Sequence, residues 1–314
     1  VRGAQFVRLR ARCRRRYARA LLHGQGVVDL KALLLSAYLA WSLGFASLAH
    51  AGEVFLHSFK SAAIGRDYAY TVYLPDAYLG SALKFPVLYL LHGAGGDENE
   101  WLHWGGVRET MDALIARKLI QPMVVVMPGH TQAWWTDGAR EKGETALLKE
   151  VLPHAEGHYR IDAVRANRLV AGLSAGGYGA LNLALRHPQL FAAAAILSPA
   201  IYDPLPPAHS AATRDHPFQK DGQFDPALWQ SQLYTRFIDR YKAGPLVVPL
   251  YINAGDHDTF GIAVQSAMLY ERLRLHQPGQ VELRIVDGDH EWALWRDTLG
   301  EALQFMSTRI AGPR

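Results

Sequence analysis

A serine with a glycine two residues to either side, Gly172-Leu173-Ser174-Ala175-Gly176, stands between a short apolar run at 168–171 and the helix-like Tyr178-Gly179-Ala180-Leu181-Asn182-Leu183-Ala184-Leu185. That context predicts a sharp strand-to-helix turn, which lifts a hydroxyl clear of a sheet where a base can reach it. A serine hydroxyl is a weak nucleophile by itself. It needs a histidine to take its proton and a carboxylate to fix the imidazole tautomer and stabilise its charged form. Downstream, a strand-like run at 247–252 leads into Asn253-Ala254-Gly255-Asp256-His257-Asp258, and another at 281–286 leads into Asp287-Gly288-Asp289-His290-Glu291-Trp292. The residues Ser174, Asp258 and His290 then follow in the order nucleophile, acid, base. Asp256 is the alternative acid. Asp258 is preferred because two further residues let its carboxylate turn back toward the sheet edge.

Acyl transfer also needs backbone N–H groups aimed at the developing oxyanion. The apolar Phe85-Pro86-Val87-Leu88-Tyr89-Leu90-Leu91 runs into His92-Gly93-Ala94-Gly95-Gly96, whose glycines permit close approach. The expected donors are the amides of Ala94 and of Ala175, directly after the nucleophile. His92 is read as a residue that fixes this loop by hydrogen bonding to backbone. Trp101, Trp134, Trp135 and Trp292 lie in loops beside the proposed site and are expected to pack against sugar rings or aromatic acyl groups. The Asp256-His257-Asp258 and Asp287-Gly288-Asp289-His290 clusters could instead ligate a metal. That reading leaves the serine turn without a role, so neither metal nor cofactor is expected.

The elements that would carry these groups alternate. Strand-like runs at 68–74, 85–91, 123–127, 168–173, 193–197, 246–252 and 281–286 are separated by amphipathic segments. Val107, Met111, Leu114 and Ile115 share one helical face, as do Leu147, Leu148, Val151 and Leu152. Such alternation predicts an α/β protein with a doubly wound, mostly parallel sheet and helices on both faces. Ligands of such sheets bind at the carboxyl ends of the strands, where all the candidate residues fall. A last helix over about 293–310 turns Trp295, Leu299, Leu303 and Met306 inward. Residues 202–244 break the alternation with Pro204, Pro206, Pro207, Pro217 and Pro226, then a helix-like 228–241. They are read as an insert, either a lid over the site or a packed excursion.

The sequence resembles the α/β-hydrolase esterases that include feruloyl and acetyl-xylan esterases, S-formylglutathione hydrolase and the secreted mycolyltransferases. The resemblance runs from about Phe55 to Met306. Its most specific elements are Leu91-His92-Gly93-Ala94-Gly95-Gly96-Asp97-Glu98-Asn99-Glu100-Trp101, Ala171-Gly172-Leu173-Ser174, Ala254-Gly255-Asp256-His257-Asp258 and His290-Glu291-Trp292. It implies the α/β-hydrolase fold, with Asp258 matching the acid of the feruloyl-esterase-like members. Ala175 replaces the methionine usual after the nucleophile, and Glu291 the aspartate usual after the histidine. Both neighbour the site and bear on substrate rather than on reaction. The implied function is a serine carboxylesterase acting on a small-molecule or carbohydrate-linked ester, a feruloyl or acetyl ester among them. An acyltransferase of the mycolyltransferase type, or a noncatalytic carbohydrate-binding relative, are the alternatives.

Net charge is +4 and the pI ≈ 9.1 over 314 residues, values that could suggest a nucleic-acid partner. Residues 1–51, however, hold eight arginines and Lys31 against Asp29 alone, a net +8, so the remainder carries 24 positive and 28 negative charges, a net −4. No nucleic-acid partner is therefore expected. Residues 1–51 read as a leader: an arginine-rich start, then an apolar stretch at 32–46 followed by Ala49-His50-Ala51, the pattern of a signal peptide cleaved after Ala51. A periplasmic or secreted bacterial protein, with no stable membrane span after cleavage, is the expectation. The one cysteine, Cys13, lies in the leader, so residues 52–314 can form no disulfide. Those residues suit one large domain with the insert at about 202–244.

Overall fold

The computed structural model describes residues 51–129 and 134–314. The leader expected over 1–51 lies, apart from Ala51, outside the described residues. An eight-stranded sheet organises the rest. In chain order its strands are β1 (Glu53–Ser61), β2 (Arg66–Leu74), β3 (Val87–Leu91), β4 (Val124–Gly129), β5 (Arg168–Leu173), β6 (Ala193–Leu197), β9 (Leu250–Gly255) and β10 (Val281–Val286). Two further strands, β7 (Gln219–Lys220) and β8 (Gln223–Phe224), form a separate hairpin. The spatial order is β1-β2-β4-β3-β5-β6-β9-β10, antiparallel at β1–β2 and β2–β4 and parallel across the other pairs. The expected doubly wound, mostly parallel sheet is observed.

Central strands are almost wholly apolar because helices cover both faces, with the buried Arg168 and Asn253 as exceptions. Along β3, Val87, Tyr89 and Leu91 enter one core while Leu88 and Leu90 enter the other, the alternation that a pleated strand imposes. The first core takes in the segment 147–158, the helices Ala175–Arg186 and Ile262–Arg274, and residues of the insert. The second takes in the helices Val107–Ala116 and Trp292–Ser307, with Trp295, Leu299, Leu303 and Met306 turned inward. Val107, Met111 and Leu114 are buried while Ile115 is half-buried, and Leu147, Val151 and Leu152 are buried beside a half-buried Leu148.

Several strand ends differ from the sequence expectation by a few residues, two of them for a clear physical reason, and one strand is additional. β3 starts at Val87 because Phe85 is engaged elsewhere, its N–H donating to Arg160 O and its carbonyl accepting from Asp162 N, and Pro86 has no N–H to give. The run at 246–252 joins the sheet only from Leu250, since the Val247 carbonyl accepts from Arg165 and Val248 bonds the side chains of Tyr241 and Gln277. The sequence pattern does not predict β1. It is an edge strand paired on one side only, and both Phe55 and Leu56 are exposed, so no apolar face marks it.

Residues 202–244 divide in two. The later part packs: Phe218, Trp229, Tyr234 and Ile238 are buried in the first core, and Gln232 O accepts from both Tyr178 Oη (2.7 Å) and Asn182 Nδ2 (2.9 Å) of the helix below. The earlier part, around 202–214, borders the cleft described next. No helix of the described residues is long and apolar enough to cross a membrane.

Candidate active site

β5 ends at Leu173, and the chain reverses at Ser174 into the helix Ala175–Arg186. Ser174 has φ 53° and ψ −117°, a conformation that L-residues avoid and that costs on the order of 1–3 kcal/mol. Its backbone is held on three sides: Ser174 N donates to Leu197 O (2.9 Å), and Ser174 O accepts from Tyr178 N (2.9 Å) and Ala200 N (3.1 Å). The turn is also too tight for side chains at its glycines. A Cβ on Gly172 would meet the Gly176 carbonyl, and one on Gly176 would meet the carbonyl oxygens of Leu91 and His92. This packing seats the helix start against the end of β3.

The loops after β9 and β10 are zipped together by backbone. Asp256 N donates to Val286 O (2.9 Å), His257 N to Gly288 O (3.0 Å), and the Asp289 carboxylate accepts from both Thr259 N (2.8 Å) and His290 N (2.7 Å). These two amide donors hold the Asp289 carboxyl below its ordinary pKa. Gly288, at φ 144°, takes a backbone path closed to other residues. The result is a hydrogen-bonded chain across three strand ends: Ser174 Oγ to His290 Nε2 at 2.9 Å, and His290 Nδ1 to Asp258 Oδ2 at 2.8 Å. The Asp258 side chain has no solvent-accessible surface, and its other oxygen accepts from Phe260 N (2.9 Å). Phe260 and Trp295 present their rings to the imidazole at 4.8 and 4.9 Å. Of the two acids weighed from sequence, Asp258 is the one brought to His290. Asp256 is exposed, accepts from Gly288 N (3.2 Å) and lies 3.0 Å from His257 Nδ1. Asp256, His257 and Asp287 form an exposed group apart from this chain.

The cleft beside Ser174 has a volume of about 470 Å³. Ala94 lines it, and Ala175 is buried as the first residue of its helix, where a backbone N–H has no acceptor within the helix. The positive end of that helix favours an oxyanion. His92 beneath the loop is buried, its Nδ1–H directed at Gly93 O (2.7 Å), and burial pushes its pKa down to about 4. A neutral imidazole thus sits under the glycine loop, as the loop-fixing reading has it.

The four tryptophans separate. Trp134 and Trp292 line the cleft. Trp101 and Trp135, expected to touch substrate, are fully buried behind the loop instead, and their indole N–H groups donate to Leu91 O and His92 O, each at 3.1 Å. Their large rings are supports for the β3 loop, because a buried indole must satisfy its N–H and the strand-end carbonyls offer the acceptors. Residues not anticipated as lining the cleft include Glu100, Tyr202, His209, Arg214, Phe260 and Trp295. Trp295 lies three residues after Trp292 on one helix, a spacing that could have signalled it. Tyr202, His209 and Arg214 come from the irregular start of the insert, which has no periodicity to read.

A family model for esterases, named Esterase, matches residues 61–306. Esterase Rv1288 of Mycobacterium tuberculosis is 34% identical over 150 residues, covering 45% of this chain and 31% of that protein. An endo-1,4-beta-xylanase/feruloyl esterase of Xylanibacter ruminicola is 33% identical over 162 residues, covering 49% of this chain and 22% of that protein. This chain thus spans less than a third of the length of either relative over the matched region. Among solved structures, a ferulic acid esterase superposes with TM-score 0.72 at 27% identity, covering 83% of this chain and all of that one. The S-formylglutathione hydrolase FrmB of Staphylococcus aureus superposes with TM-score 0.64 at 19% identity, covering 82% of this chain and all of that one, a likeness of fold.

Proposed function

Because this chain belongs to the Esterase family, we propose that it is a serine carboxylesterase working through Ser174, His290 and Asp258. The fold is that of the α/β-hydrolases. The observation that carries the reading is the continuous Ser174–His290–Asp258 hydrogen-bonded chain, whose Ser174 and His290 line an aromatic cleft. Ser174 Oγ attacks the ester carbonyl carbon while His290 Nε2 takes its proton, and Asp258 stabilises the imidazolium. The tetrahedral oxyanion rests on the amides of Ala94 and Ala175. His290 returns the proton to the departing alkoxide, the alcohol leaves, and a water activated by the same histidine releases the acid from the acyl-enzyme.

The substrate class proposed is a feruloyl or acetyl ester on a carbohydrate. Its support is a cleft walled by Trp134, Trp292, Tyr202 and Phe260, which suits flat rings, together with the feruloyl esterase names of a relative and a structural neighbour. Export is proposed on the apolar stretch and Ala49-His50-Ala51 of the leader. The test is hydrolysis of 4-nitrophenyl acetate, butyrate and octanoate, methyl ferulate and acetylated xylan by wild type and Ser174→Ala. Turnover that disappears in a folded Ser174→Ala variant is expected. Turnover that persists would remove the mechanism, and silence of wild type on every ester would favour acyl transfer or binding without catalysis.

A further inference from the structure

On the reading that Ser174 attacks an ester, we infer that Glu100 is a specificity-determining residue that hydrogen-bonds a hydroxyl group of the substrate. Among the described residues, three carboxylate or guanidinium side chains line the cleft: Glu100, Arg214 and Glu291. Arg214 and Glu291 are exposed at its rim, and Arg214 leans on the His209 carbonyl (3.4 Å). Glu100 is different. It is half-buried, it lines the cleft together with Ala94, and its carboxylate fills the space left by the missing side chain of Gly96, where a Cβ would strike it and come within 2.8 Å of His92 Nδ1.

The Glu100 backbone is fixed by its neighbours. Trp101, next in the chain, anchors its indole on Leu91 O (3.1 Å) and meets the ring of Trp292 edge-on at 5.3 Å. A carboxyl group is thereby held against the glycine loop, in a cleft that Trp292 also lines. Burial, and secondarily the Asp97 carboxylate, raise its pKa, so the group gains from a polar partner entering the cleft. A hydroxyl suits it in either protonation state, donating to the carboxylate or accepting from the acid. A flat ring against Trp292 with a hydroxyl at Glu100 matches both a phenolic acyl group and a sugar alcohol.

Two substrate pairs separate those sources. Methyl ferulate and methyl 3,4-dimethoxycinnamate differ at the phenolic hydroxyl of the acyl group. Methyl 2-O-acetyl-β-xyloside and its 3,4-di-O-methyl ether differ at the hydroxyls of the alcohol. The expected result is a wild-type kcat/KM preference for the hydroxylated member of one pair, about 10- to 100-fold for a hydrogen bond to a charged group. Glu100→Ala should abolish that preference, and Glu100→Gln should keep part of it. A structural role would lower both members of each pair equally, so an unchanged ratio in both pairs overturns the assignment. A preference for a cationic choline ester that Glu100→Ala removes would overturn it too, by making the partner a cation. Loss of all ester turnover in wild type, or its survival in Ser174→Ala, would strike the underlying mechanism instead.

Discussion

Replacing Asp258 by asparagine tests the proposed acid through both of its oxygens. One accepts from His290 Nδ1 at 2.8 Å and the other from Phe260 N at 2.9 Å, with the side chain wholly shielded from water. An asparagine cannot serve both donors. If its carbonyl faces His290, its amide opposes the Phe260 N–H, and a buried donor left without an acceptor costs about 1–3 kcal/mol. If it flips, its amide faces Nδ1 and forces that nitrogen to accept, so the proton moves to Nε2 and the base toward Ser174 is lost. Either way the negative charge that stabilises the imidazolium is gone. The wrong tautomer costs roughly 10⁴-fold in turnover in serine hydrolases of this design, so Asp258→Asn should lower kcat by about 10³- to 10⁴-fold. Asp256 is exposed and its contacts are to Gly288 N and His257, so Asp256→Asn should change kcat by less than about fivefold. The assay is initial-rate hydrolysis of 4-nitrophenyl acetate by both variants, with circular dichroism to check folding. Equal losses from the two variants would refute the assignment of the acid.

Three further outcomes follow from the same geometry. Gly176→Ala should destabilise the fold by about 1–3 kcal/mol or more, since its Cβ would press on backbone carbonyl oxygens that cannot yield, and an unchanged melting temperature would contradict that packing. His92 has a folded pKa pushed down to about 4 from an ordinary 6.5, so the unfolded chain binds the extra proton first and stability rises with pH across that interval. The contribution is complete above about pH 6.5 and is lost as pH falls toward 4. It amounts to roughly 2 kcal/mol between about pH 7.5 and pH 5. Urea unfolding of wild type and His92→Asn at those two pH values should show wild type losing that much more than the variant, and parallel losses would contradict the buried neutral imidazole. Trp135→Phe should lower stability by about 1 kcal/mol or more through the lost bond to His92 O, while leaving the ratio of kcat/KM among esters unmoved; an altered ratio would return Trp135 to the cleft.

Much of this molecule is legible in its sequence because the signals are local. A glycine-flanked serine between an apolar run and a helix fixes a turn through sterics confined to five residues, and β5, β6 and β10 begin and end where their apolar runs do. Strand ends that converge on one edge of a parallel sheet bring Ser174, His290 and an acid to one place whatever the intervening chain does. The choice between Asp256 and Asp258 is different in kind. It depends on how the loops after β9 and β10 zip through Asp256 N, His257 N and the Asp289 carboxylate, contacts between residues some thirty positions apart. The tryptophans divide for a similar reason. Trp101 and Trp135 carry the same side chain as Trp292, and only the carbonyls of Leu91 and His92, presented by a neighbouring strand end, draw their indoles into the interior. The irregular segment 202–214 and the half-buried Glu100 obey no period at all, so their presence on one cleft is a product of the packed fold. Sequence by itself determined the central parallel strands, the glycine-flanked turn at Ser174 and the chain order of Ser174, Asp258 and His290, because backbone sterics and alternation act within a few residues. Tertiary structure alone decided which aromatic rings face the cleft and which merely support it, and it supplied the contacts that bring Asp258, the acid preferred from sequence, to His290, because those depend on hydrogen bonds and close packing between distant parts of the chain.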